Sequence, residues 1–133
     1  MRLSSLADYA VVMMSAAARH GCGARLSATL LSEETGVPLP TAQKLMQKLS
    51  GAGLLSSLRG TGGGFKLTRP PAAITLADII EAIEGPIAMA ACVETGRHDC
   101  GLEGSCRVQA HWPVVNAAVR SALVGVNLSS LAQ

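Results

Sequence analysis

The sequence predicts a mainly α-helical winged helix-turn-helix, with a small β-hairpin wing and a long C-terminal helix. Three observations carry this. Two short helical segments flank the turn Thr35-Gly36-Val37-Pro38, the spacing of a helix-turn-helix. Two strand-like runs flank the glycine-rich tip Arg59-Gly60-Thr61-Gly62-Gly63-Gly64, which reads as a hairpin. A last helical segment runs from Ser105 with Val108, Trp112, Val115, Val119, Leu123 and Val124 available for packing.

The elements follow in order. Leu3, Leu6, Ala7, Ala10, Met13, Met14 and Ala17 recur at helical spacing, with Ser4 or Ser5 as cap and Arg19-His20-Gly21 as stop. Ser27 caps a short second helix that turns Leu30 and Leu31 inward. Pro40 opens a third helix, where its missing N–H costs nothing. There Ala42, Leu45, Met46 and Leu49 form the apolar face, and Gly51 and Gly53 end it. Residues 54–58 and 65–68 are the wing strands, broken off by Pro70-Pro71. Thr75 and Asp78 make a capping-box start to a helix through Leu76, Ile79, Ile80 and Ile83, which Gly85-Pro86 terminates. Residues 89–104 have no sustained period and form a loop of the length that carries function or disorder. Pro113 falls early in the last helix, in its first turns or at a kink.

At 133 residues the chain holds one domain with an appended segment. It divides into a DNA-binding unit at 1–85, a cysteine-bearing loop at 86–105 and a dimerisation helix with tail at 106–133. Hydrophobic residues make up 49% and aromatics 2%. The core is therefore aliphatic, and some apolar helix surface is expected to be buried in a second copy. A net charge of +2 decides little, but only bases occur between Arg59 and Arg69. The longest nearly apolar run, 10–18, is far short of the ~20 residues a bilayer needs. Arg2 and the alanines after it faintly match a signal peptide, which Asp8 interrupts. The expectation is a cytoplasmic protein with no membrane partner. There four cysteines point to metal or redox chemistry rather than a disulfide framework.

Two constellations carry chemistry. On the third helix Gln43 and Gln47 lie one turn apart and suit base edges, while Lys44 and Lys48 suit phosphates. Thr41 near the helix start can serve either. A polar helix face alone is usually just solvated. The hairpin shifts the balance, because Arg59 and Gly60 at a tip of little bulk can enter a minor groove. The glycines are no nucleotide loop, since Phe65-Lys66-Leu67-Thr68 lacks the Lys-Ser/Thr pair and reads as strand. The second constellation is Cys92, Cys100 and Cys106, within fifteen residues of irregular chain. Three thiolates converging on one loop can hold a soft metal or a cluster. Cys106 would sit at a helix start beside the Ser105 cap, which favours its thiolate. Arg97, His98 and Arg107 would offset the negative charge. Zinc sites show close cysteine pairs, whereas these spacings are seven and five intervening residues. Cys22 reads as an ordinary small apolar residue, and His111 as a packing neighbour of Trp112. No nucleophile-base pair or cofactor fingerprint suggests an enzyme.

These residues together resemble the IscR, NsrR and RirA group of bacterial winged-helix regulators. The resemblance rests on Met1-Arg2-Leu3 with Asp8-Tyr9-Ala10, on 39–49, on Arg59 to Phe65, on 74–85 and on the cysteine triad. Its start is most similar to regulators of the SUF cluster-assembly system. It implies a homodimer joined by the last helix, binding palindromic double-stranded DNA according to the state of an iron-sulfur cluster on the three cysteines. IscR carries a histidine three residues after the third cysteine, where this chain has Gln109. NsrR-like members use an aspartate matching Asp8 with a four-iron cluster. The resemblance thus favours a 4Fe-4S cluster with Asp8 as fourth ligand, reaching across the dimer, over a 2Fe-2S one. An acid near a helix start is also favoured by the macrodipole alone. The alternative is a cluster-free regulator whose cysteines form a redox disulfide or a zinc site.

Overall fold

The computed structural model describes residues 2–133, so Met1 of the motif above lies outside it. Helix α1 (Ser5–Arg19) starts where the Ser4 hydroxyl accepts the Ala7 N–H at 3.1 Å. It buries Ala7, Ala10, Met13, Met14 and Ala17, a stripe at three- and four-residue spacing whose small members let neighbouring helices approach closely. Helix α2 (Ala28–Thr35) is capped by Ser27 on Leu30 N–H at 3.0 Å. It ends at Gly36, whose φ of +83° is the left-handed cap that glycine adopts without steric cost. In the turn Ser32 donates to the Val37 carbonyl at 2.6 Å and Thr35 accepts the Val37 N–H at 3.2 Å. The angle between α2 and the next helix is therefore fixed by side chains. Helix α3 (Leu39–Gly51) begins one residue before Pro40 and buries the expected Ala42, Leu45, Met46 and Leu49.

Strands β1 (Leu55–Leu58) and β2 (Gly64–Leu67) pair antiparallel, Leu55 opposite Leu67 and Leu58 opposite Gly64. The far edge of β2 is also occupied. Leu26 donates to the Phe65 carbonyl at 2.7 Å and accepts its N–H at 2.8 Å. A Cβ on Gly64 would stand 2.4 Å from the Leu26 oxygen, so this approach requires glycine. Helix α4 (Leu76–Glu84) carries the anticipated capping box: Thr75 accepts the Asp78 N–H at 3.1 Å and Asp78 accepts the Thr75 N–H at 2.9 Å.

The C-terminal third departs from the sequence reading. Helix α5 spans Trp112–Val124 and is preceded by a 3-10 turn, Gln109–His111. It does not start at Ser105, whose hydroxyl faces the Leu102 carbonyl rather than a helix amide. Pro113 explains this. It has no N–H to donate one turn back, so a helix from Ser105 would break there, whereas in the first turn of α5 it costs nothing. No residue of α5 is buried. A further short helix, α6 (Leu128–Leu131), was not anticipated. Asn127 caps it, Leu128 donates to the Ile74 carbonyl at 2.8 Å, and the Leu128 side chain is 0% exposed among α1 and the residues before α4. The chain thus returns after α5 to the core of the winged helix. Among the described residues no helix is long and apolar enough to cross a membrane.

Candidate nucleic-acid interface and cysteine loop

The buried stripe of α3 fixes which of its residues face outward. Gln43, Lys44, Gln47 and Lys48 are all exposed and Thr41 is half-buried. Arg59 and Gly60 are exposed at the wing tip, where Gly60 and Gly62 have φ of +97° and +72°. The ion pairs among the described residues are His20–Glu34, Arg69–Asp78, His98–Glu103 and Arg120–Glu81. None of them engages Lys44, Lys48 or Arg59, so these charges are free to meet an anion. One residue escaped sequence reasoning. Arg25 donates from its guanidinium to the Gly62 carbonyl, and its stem lies against Gly64. It ties the wing tip to the segment before α2 across 37 positions, a pairing with no local pattern to reveal it.

The three loop cysteines and Cys22 are all free thiols. Cys92 and Cys106 are half-buried and line one open depression with Arg107, Gln109, Ala110 and Pro113. Cys100 is exposed and is not part of that wall. The convergence expected of the triad is therefore met by two members. Among the described residues no three His, Cys, Asp or Glu side chains are grouped closely enough for a metal ion. Cys106 also lacks the helix start expected for it. It precedes the 3-10 turn by three residues, and so short a turn supplies no appreciable macrodipole.

The donor chemistry nevertheless fits a soft metal or cluster, because all three donors are thiols on one irregular segment. Backbone hydrogen bonds within 100–105 are local, Glu103 N–H to the Cys100 carbonyl at 3.2 Å and Ser105 N–H to the Leu102 carbonyl at 3.0 Å. Drawing Cys100 toward the other two would break no backbone pairing with the core. The inner part of the loop is more constrained. His98 has φ +55° and donates its N–H to the Ala91 carbonyl at 2.8 Å. A Cβ on Gly96 would meet that same carbonyl oxygen at 2.3 Å. The hydrogen bond of the His98 ring with Glu103 raises its pKa above the ordinary histidine value.

Asp8 is exposed in the first turn of α1 and lines a separate depression with Arg2, Leu3, Ser4 and Ser5. Ser4 donates to Glu84 at the end of α4. The start of α1 therefore lies at the end of the molecule from which the cysteine loop departs. His111 is exposed within the 3-10 turn, and Cys22 is exposed after α1.

Comparison with known proteins agrees with this architecture. The family profile for Rrf2, described as an iron-dependent transcriptional regulator, matches residues 3–133. Protein aau3 of Rhizobium meliloti is 39% identical over 124 residues, covering 92% of this chain and 75% of the relative. The HTH-type transcriptional regulator IscR of Aliivibrio salmonicida is 30% identical over 131 residues, covering 98% and 77%. The structure of CymR, the global cysteine regulator of B. subtilis, superposes with a TM-score of 0.75 at 27% identity, covering 99% of this chain and 96% of that one. These matches bear out the resemblance to IscR-type regulators. The chain belongs to the Rrf2 family, and it is a DNA-binding winged-helix transcriptional regulator rather than an enzyme.

Proposed function

We propose that the protein acts in the cytoplasm as a homodimer on a palindromic operator, and that its cysteine loop senses iron-sulfur, iron or redox status to control iron-sulfur assembly genes. The observation that carries the reading is the placement of Cys92, Cys100 and Cys106 between a complete winged helix and a helix that buries none of its residues. Val114, 73% exposed, and Leu102, 65% exposed, leave apolar surface on α5 and the loop. Such surface supports association with a second copy. Thr41, Gln43, Lys44, Gln47 and Lys48 would lie in the major groove, with Arg59 and Gly60 at the minor groove. The two recognition helices would be ~34 Å apart or a multiple of that.

Cys92, Cys100 and Cys106 would hold the cluster, with Asp8 of the second copy as the fourth ligand. Gln109, which lines the wall beside Cys106, is a poor substitute for a histidine ligand. That favours a four-iron over a two-iron cluster. A cluster bound there would give the loop a charge responsive to iron and oxidants. A second reading, a thiol-disulfide switch, is favoured by the pairing of Cys92 with Cys106 in one wall and by the likeness to a cysteine regulator.

Anaerobic purification with iron and sulfide analysis separates the two. The cluster reading expects a brown protein with broad visible absorbance and stoichiometric iron and sulfide. It expects these to be lost in Cys92→Ser, Cys100→Ser and Cys106→Ser and kept in Cys22→Ser. A colourless wild type that forms a Cys92–Cys106 disulfide on oxidation would establish the thiol switch instead.

A further inference from the structure

The segment that leaves α4 and enters the cysteine loop is held by side chains from two helices. Glu81 of α4 accepts the Ile87 N–H through Oε2 at 3.0 Å, and its Oε1 accepts from Arg120 of α5 at 2.8 Å. Asn116 of α5 accepts the Met89 N–H at 2.7 Å and donates to the Ile87 carbonyl at 3.1 Å. The Thr95 hydroxyl donates to that same carbonyl at 2.9 Å. Asn116 and Arg120 are four residues apart, so they lie on one face of α5.

Helix formation does not account for Asn116, since asparagine is a poor choice inside a helix. Backbone groups of an irregular segment need partners, but at a partly exposed site water supplies them. Here both polar groups of Ile87 and the N–H of Met89 are met by side chains that also join α4 to α5. Cys92 lies midway along the tied segment. Met89 precedes it by three residues and Thr95 follows it by three, and both ends of this arc are tied to Ile87 and Asn116. Val93, next to Cys92, is buried. A change of volume or charge at the half-buried Cys92 therefore bears on an arc whose ends are fixed. No residue of α5 is fully buried, and Asn116 and Arg120 supply polar bonds that join it to α4 and to the segment after α4.

We propose that Glu81, Asn116 and Arg120 form a coupling clamp, a set of positioning residues through which a change at the cysteine loop is passed to α5. The inference rests on the reading of that loop as the sensor. Its test needs no cluster.

Hydrogen exchange is followed by mass spectrometry in the metal-free chain, in a Cys22→Ser background, before and after N-ethylmaleimide modifies the loop thiols. In the otherwise wild-type chain, modification speeds exchange across α5 by on the order of tenfold, the effect of losing about one net hydrogen bond. In Asn116→Ala the unmodified chain already exchanges at the faster rate in α5, and modification adds nothing. Asn116→Asp, which keeps an acceptor for Met89, restores part of the response. A residue that merely stabilises would raise the baseline and leave the response to modification intact. That result in Asn116→Ala, or no response of α5 without the clamp substitution, overturns the proposal. Exchange in α1 verifies that each variant is folded, and Arg120→Gln carries the same test if Asn116→Ala is not. Iron and sulfide analysis of the anaerobic protein decides the cluster reading separately, so the two can fail independently.

Discussion

Replacing Lys44 and Lys48 by alanine should change how DNA affinity depends on salt, by an amount that follows from the geometry. Both ammonium groups are on exposed residues of α3, and neither takes part in an ion pair among the described residues. Each is therefore free to displace a counterion from a phosphate. On duplex DNA the slope of log K against log salt is about −0.9 per neutralised phosphate. A dimer presents each lysine twice, so one substitution should flatten the slope by ~1.8 and the double substitution by ~3.6. Between 50 and 200 mM salt, the wild-type advantage over the double variant should then shrink by roughly 150-fold. Fluorescence anisotropy with an operator found by in vitro selection, titrated at several salt concentrations, measures this directly. Stability should stay within about 0.5 kcal/mol, since the substitutions are on the surface. Gln43→Ala should instead leave the slope and relax preference at particular base pairs. A double variant with the wild-type slope would show that α3 does not lie against the backbone and would refute the assignment of the recognition helix.

Asp8→Ala should alter the anaerobic spectrum or hasten loss of the chromophore while His111→Ala does not; the reverse pattern in cluster-lifetime measurements would move the fourth ligand to the segment before α5. Leu128→Ala should lower stability in urea by about 2–5 kcal/mol, because the side chain is fully buried and its removal leaves a cavity; a loss below about 1 kcal/mol would show that α6 is not anchored as described. In the metal-free protein, His98 should titrate above the ordinary histidine value of about 6.5, because the bond to Glu103 favours the imidazolium. A raised pKa means that this pairing is fully present below the ordinary value and is lost as pH rises through the folded one. NMR of the ring protons should show Glu103→Gln returning His98 toward the ordinary value; no change in that variant would exclude the pairing.

What was legible in the sequence is what local chemistry determines. Ser4, Ser27 and the Thr75–Asp78 box mark helix starts because their oxygens satisfy amides three residues away. Gly36 and the Gly60–Gly64 run mark turns because they take up backbone angles or close approaches that other residues resist. The outward set on α3 followed from the spacing of Ala42, Leu45, Met46 and Leu49. The illegible parts depend on distant contacts. Ser105 has the composition of a cap, yet the real start of α5 is set by Pro113. Helix α6 is four residues long and exists because Leu128 finds a site in a core built mostly before residue 80. The Arg25 bond to the wing and the Glu81–Asn116–Arg120 cluster span dozens of positions. The cysteines were recognisable as donors by type and crowding, but spacing did not reveal that Cys92 and Cys106 share a wall that Cys100 does not.

On the proposed reading, the state of the cysteine loop governs DNA binding. The most direct test is the operator affinity of anaerobically purified protein against that of the Cys92→Ser, Cys100→Ser, Cys106→Ser triple variant, at one fixed salt concentration. The two affinities should differ by on the order of tenfold while both proteins remain folded dimers. Equal affinities in two folded dimers would contradict it and reduce the loop to a structural connection between the winged helix and α5.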